Sequence, residues 1–143
     1  MLISTKGRYA LRVMIDLAEH PGDDLIPLKV IAERQEISEK YLESIIKLLV
    51  KARLLSGVRG KGGGYQLTRA PEQYTAGEIL RLTEESLAPV SCLGQDAEGC
   101  ARAATCRTLP LWNGLNQGIN DYLDRITVAD LMERGDPGND YVI

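Results

Sequence analysis

Three thiols are the side chains of this sequence best equipped for chemistry: Cys92, Cys100 and Cys106, set in CLGQDAEGCARAATC with seven and five residues between them. A structural zinc site usually pairs its cysteines as Cys-x(2–4)-Cys and needs a fourth ligand, and neither feature is present. Longer intervals suit a larger group, and thiolates are the usual ligands of iron-sulfur clusters, which take four terminal ligands. Three free thiols, or one disulfide and one thiol, are an equal alternative at this level, with Arg102 and Arg107 nearby to lower a thiol pKa. An odd cysteine count does not suit the fully paired framework of small secreted proteins.

The second candidate chemistry is electrostatic. The net charge of -3 over 143 residues argues against wholesale nucleic-acid binding, but it hides an asymmetry. Residues 1–74 carry 12 Lys+Arg against 9 Asp+Glu, and residues 75–143 carry 5 against 11. Residues 38–69 concentrate Lys40, Lys47, Lys51, Arg53, Arg59, Lys61 and Arg69 against only Glu39 and Glu43. A localised basic patch is the footprint expected of a protein that contacts a phosphate backbone, although a solvated face has the same composition. Catalysis finds little support: His20, the sole histidine, sits where it would cap a helix C-terminus, and no Gly-x-Ser-x-Gly elbow is present. The run Gly60-Lys61-Gly62-Gly63-Gly64 has neither the Walker spacing nor a following helix, so nucleotide binding is not expected. Nor is an enzyme.

These residues must be positioned by something. Ala10, Val13, Met14, Leu17 and Ala18 form the apolar stripe of a first helix ending before His20. Pro27 suits the first turn of a second, short helix with Leu28, Ile31 and Ala32 inward. Ser38 is a natural N-cap for a third helix, in which Leu42, Ile45, Ile46 and Leu49 form the buried stripe and Lys40, Glu43, Ser44, Lys47 and Lys51 face out. Two helices joined by about three residues, the second with a basic outer side, make a helix-turn-helix. Strands are expected at 55–59 and 65–68 around the glycine-rich turn, a hairpin that would serve as the wing, with Arg59 and Lys61 at its tip. Thr75-Ala76-Gly77-Glu78 reads as a capping box opening a helix through about Glu85.

Residues 86–106 have no periodicity. Beyond them Trp112, Leu115, Ile119, Tyr122 and Ile126 recur at alternating intervals of three and four, a heptad seam that wants a partner helix, with Gly114 and Gly118 able to admit a close approach. A short capped helix restarts at Thr127–Asp130, and 136–143 reads as a loose tail. The expected fold is therefore mainly α with a small β-hairpin: a winged helix-turn-helix domain over 1–74, a cysteine loop and dimerisation helices over 75–135, and the tail. No segment looks long and apolar enough to span a bilayer and the start lacks a secretory signal, so a cytoplasmic protein without a membrane partner is expected.

Taken together, STKGRYALRVMIDLA, ISEKYLESIIKLLVKARLL, VRGKGGGYQLTR, the three cysteines and LWNGLNQGINDYLDRITVADL resemble the Rrf family of bacterial winged-helix regulators, in particular its iron-sulfur (IscR-like) branch. The resemblance implies a homodimeric transcriptional regulator, usually a repressor, bound to operator DNA, with its long C-terminal helix crossing between subunits. It implies that Ser38, Tyr41, Leu42 and Glu43 begin the helix entering the major groove, alongside Lys40 and Lys47, that Arg59 and Lys61 serve the wing, and that Cys92, Cys100 and Cys106 hold a cluster, expected with two irons and two sulfides. Two departures stand out. Cys106 is followed by Arg107-Thr108-Leu109 rather than by a histidine, and the first helix offers Arg8 and Arg12 where some members present a partner's ligand, so the fourth ligand is unassigned. The sister branch that controls cysteine metabolism (CymR-like) shares the DNA-binding half without a cluster, which keeps thiol redox control or a regulatory protein partner as the alternative.

Overall fold

The computed structural model describes residues 2–94 and 100–134; the expected tail at 136–143 and the middle of the cysteine loop lie outside the described residues. The chain runs α1 (Thr5–Glu19), α2 (Leu28–Gln35), α3 (Glu39–Lys51), β1 (Leu55–Val58), β2 (Gly64–Leu67), α4 (Ala76–Thr83), α5 (Leu109–Arg125) and α6 (Val128–Arg134). Ser4 caps α1 by accepting from the Gly7 N–H at 3.0 Å. At the other end His20 Nδ1 donates to the Asp16 carbonyl at 2.7 Å, the capping role expected of it.

The helix-turn-helix bend is made without glycine. Glu36 adopts the left-handed conformation, and the Ile37 N–H closes back on the Ala32 carbonyl at 3.0 Å while the Ile37 side chain enters the core. Arg53 repeats the device after α3, where the Leu54 N–H meets the Leu49 carbonyl at 2.9 Å. Pro27 proves to be the N-cap residue of α2 rather than its first helical residue.

β1 and β2 pair antiparallel with Leu55 opposite Leu67 and Val58 opposite Gly64, each strand one residue short of the expected end. The hairpin is fastened near its turn by Ile26 and at its base by Tyr74. Ile26 exchanges both backbone hydrogen bonds with Tyr65, at 3.0 and 2.8 Å, and a Cβ on Gly64 would stand 2.6 Å from the Ile26 backbone, which is why a glycine is needed there. The buried Tyr74 hydroxyl accepts from the Thr68 and Arg69 N–H groups, both at 2.9 Å, and donates to the Leu54 carbonyl at 2.8 Å.

One core unites these pieces: Val13, Met14 and Leu17 of α1, Ile31 of α2, the α3 stripe, Leu54, Leu55, Tyr74, Ile79 of α4 and Val128 of α6. Packing therefore runs across residue 74, where composition alone suggested a division. The buried carboxylate of Asp16 pairs with the Arg34 guanidinium, at 2.6 and 3.0 Å, and accepts a hydrogen bond from the Gln35 amide at 2.8 Å, tying α1 to the end of α2.

Two expectations need correction. The capping box at Thr75 is half formed: Thr75 Oγ1 accepts from the Glu78 N–H, but the Glu78 carboxylate turns to Arg69, at 2.6 and 3.2 Å. α4 ends at Thr83 rather than near Glu85, because the Glu84 side chain accepts from the Ser4 N–H and hydroxyl at 2.9 and 2.8 Å and pulls the backbone out of the helix. The reciprocal box does form at α6, between Thr127 and Asp130.

Replacing Tyr74 by Phe removes a buried hydroxyl that serves three backbone groups. The expected cost is about 2 kcal/mol in urea unfolding, with faster amide exchange at Thr68 and Arg69; a loss below about 0.5 kcal/mol contradicts its role in fastening the wing.

Candidate nucleic-acid interface

α3 begins where Ser38 Oγ accepts from the Tyr41 N–H at 3.2 Å, with Glu39 in the positively polarised first turn. Leu42, Ile45, Ile46 and Leu49 are all buried, so the helix has only one possible roll about its axis. Lys40 and Lys47 are exposed and Glu43 half-exposed on the outer side. Leu42 requires a correction: it is 0% exposed, so it anchors the helix from inside and cannot touch a base. Tyr41 is half-buried, its ring meeting the edge of Tyr9 at 5.8 Å. Arg12 lies 4.8 Å over the Tyr9 ring and donates to the Gln35 carbonyl and side chain, which stiffens the platform behind Tyr41.

The wing converges on the same edge. Arg59 Nη2 stands 3.6 Å from Glu43 Oε1, and Lys61 is exposed at the turn, where Gly60 and Gly62 take positive φ. A groove between these elements is lined by Lys29, Glu39, Glu43, Val58, Arg59 and Tyr65. No carboxylate among the described residues lies within ion-pair distance of Lys40, Lys47 or Lys61, so their charges are free to meet phosphate.

The thiols sit elsewhere, on the segment between α4 and α5. Cys92 and Cys106 are half-buried, Cys100 is exposed, and all three are free. The Thr108 hydroxyl, 3.5 Å from Cys106 Sγ, and the Thr108 and Leu109 backbone N–H groups at the start of α5 hold the Cys106 thiol below its ordinary pKa.

A model of the Rrf2 family, described as an iron-dependent transcriptional regulator, matches residues 3–134. The HTH-type transcriptional regulator IscR of Aliivibrio salmonicida is 40% identical over 132 residues, 92% of this chain and 77% of that protein. Its counterpart in Sodalis glossinidius is 41% identical over 92% and 79%. Among solved structures, CymR of B. subtilis superimposes with a TM-score of 0.75 at 38% identity, covering 95% of this chain and 99% of that one. T. potens IscR gives 0.74 at 37%, covering 99% and 93%. The chain belongs to the Rrf2 family. It is an IscR-like transcriptional regulator with a winged-helix fold, not an enzyme.

In this regulator three free thiols suit a cluster in kind, being soft donors with no disulfide to compete. They do not converge: among the described residues no three Cys, His, Asp or Glu side chains form a metal-holding group, and none supplies a fourth ligand. No helix among them is long and apolar enough to cross a membrane.

Sequence reasoning passed over Tyr9, Arg12 and the Asp16–Arg34–Gln35 lock. Asp16 was detectable as a carboxylate falling on the apolar stripe of α1, beside Val13 and Leu17, where a charge must find a partner. Tyr9 and Arg12 carry no such signal, because Tyr41 and Gln35 lie 32 and 23 residues away on other helices.

In metal-free protein with Cys92 and Cys100 changed to Ser, Cys106 alkylation is expected to have its pH midpoint below that of an ordinary thiol, since more thiolate is present at a given pH. Thr108→Val, which removes the first hydrogen bond, moves the midpoint upward; an ordinary or higher midpoint in the parent contradicts the assignment.

Proposed function

We propose that this regulator acts in the cytoplasm as a homodimer that recognises a palindromic operator, with α3 of each protomer in the major groove and the wing against the adjacent backbone or minor groove. The convergence of Glu43 and Arg59 on one exposed edge carries this reading, since it brings a base-reading helix and a cationic hairpin onto one surface. Ser38, Lys40, Tyr41, Glu43 and Lys47 would line the reading edge, and Arg59 and Lys61 the wing. In the free chain Glu43 is engaged by Arg59; on DNA each gains an alternative partner, a cytosine amine for the carboxylate and a phosphate or groove edge for the guanidinium.

α5 supports dimerisation. None of its residues is buried, and Leu111, Leu115 and Tyr122 are 61%, 45% and 49% exposed, with Trp112 and Ile119 half-buried beside them. Such a stripe on a seventeen-residue helix fits the same helix of a second copy. Ile126, the last expected member, lies just beyond the helix, where its carbonyl accepts from the Ala76 N–H. Two-fold symmetry would place the reading helices about 34 Å apart, one turn of duplex. Repression is the sign expected from the resemblance to the family.

Cys92, Cys100 and Cys106 would hold the iron-sulfur cluster, of two irons and two sulfides, which when bound would supply a redox- and iron-sensitive cross-link within the segment between α4 and α5. The separation of the thiols and the depressed Cys106 favour a second reading, direct thiol sensing of the CymR type, with or without a regulatory protein partner. Anaerobic purification with iron and sulfide assays decides: visible absorbance lost in Cys92→Ser supports the cluster, and a colourless metal-free protein supports the thiols.

Glu43→Ala is expected to relax base preference at one position of each half-site by about 1–3 kcal/mol. Lys61→Ala should instead weaken all sequences alike and flatten the salt dependence by about one unit of slope. An unchanged operator mutation profile in Glu43→Ala overturns the reading role of that residue.

A further inference from the structure

Among the described residues, the hydrogen bonds that tie α5 and the turn after it to other elements fall at two places. One is a hinge just past its C-terminus, where the Ala76 N–H meets the Ile126 carbonyl at 2.8 Å, the Val128 N–H meets the Tyr74 carbonyl at 3.0 Å, and Thr75 bridges Thr127. The other lies about one to two turns upstream. Arg81 of α4 donates to both oxygens of Asp124, at 2.7 and 3.1 Å, and to Asn120 Oδ1 at 2.7 Å. Gly77 makes room for this contact, because a Cβ there would collide with Asp124 Oδ1. Toward Leu109 no residue of the helix is fully buried, and Trp112 and Ile119 are half-buried.

We propose that Arg81 is a positioning residue for operator recognition: its forked grip on Asp124 and Asn120 fixes the direction of α5 and thereby the distance between the two reading helices. This rests on the proposed dimerisation through α5. One hinge leaves a helix free to swing, whereas a hinge plus a planar three-bond clamp does not. From Asp124 to Leu111 the helix is about 20 Å long at 1.5 Å per residue, so a swing of roughly 10° moves the pairing seam by about 3.5 Å. That is close to the ~3.4 Å rise of one base-pair step. Both side chains of the Arg81–Asp124 pair are nearly half exposed, so the pair adds little to stability while setting an angle. The crevice beside it is walled by Arg81, Glu84, Ser86, Leu87, Asn116 and Asn120, so the chain leading into the cysteine segment abuts the clamp.

The test measures binding of the full-length protein to the operator it selects from random duplexes, with the centre lengthened or shortened by one and two base pairs. Wild type should lose about tenfold in affinity per step, as for a poorly matched site. Arg81→Ala should lose less than about threefold per step while remaining dimeric by sedimentation and melting within a few degrees of wild type, as an exposed pair allows. Arg81→Lys, which cannot bridge both partners, should fall between. Exchange of the charges, Arg81→Asp with Asp124→Arg, should restore discrimination that either change alone removes. Retained wild-type spacing preference in Arg81→Ala, or dissociation of that variant to monomers, overturns the clamp and leaves the dimer standing. A monomeric wild type overturns the dimer and the clamp with it.

Discussion

The orientation of α3 rests on one constraint: its apolar stripe has a single place to go. Leu42, Ile45, Ile46 and Leu49 are all buried against α1 and its neighbours, and burying four such side chains is worth about 1.5–3 kcal/mol each before entropy is counted. Rolling the helix to present another face would expose that stripe, so Lys40, Glu43 and Lys47 are directed outward by what lies behind them. The wing inherits the same frame, because Tyr65 of β2 pairs with Ile26 just ahead of α2 and the Tyr74 hydroxyl gathers the strand ends. A reading edge built on loops would lack this definition.

α4 is the hub between the reading edge and the rest of the molecule. In eight residues it packs Ile79 and Leu80 into the core, pairs Glu78 with Arg69 at the wing base, and grips α5 through Arg81; Glu84, just past its end, closes on Ser4 ahead of α1. The cysteine segment leaves from that same end. Its start is joined through α4 and Glu84 to the wing base, the residue ahead of α1 and α5 by direct side-chain bonds.

Much of this was legible in the sequence, for identifiable reasons. Ser38 as N-cap and the α3 stripe depend on local spacing, and each lies where the spacing put it. The spacing of Trp112, Leu115, Ile119 and Tyr122 was legible as one stripe of a helix, and all four lie on α5. Readings that failed did so where a distant partner intervened. Glu78 left its capping box for Arg69, Glu84 ended its helix early for Ser4, and Leu42 kept a single role in the core, where resemblance had assigned it a second. The packing of α4 and α6 onto α1 joins residues about 70 to 120 positions apart, which no periodicity encodes. The Arg81 clamp belongs to the same class.

The most direct measurement is the hydroxyl-radical footprint of the protein on the duplex it selects, together with the number of chains bound. Two chains per duplex and two protected patches related by two-fold symmetry, about 34 Å apart along one face, are expected. One chain with a single uninterrupted patch would contradict the paired arrangement of reading helices.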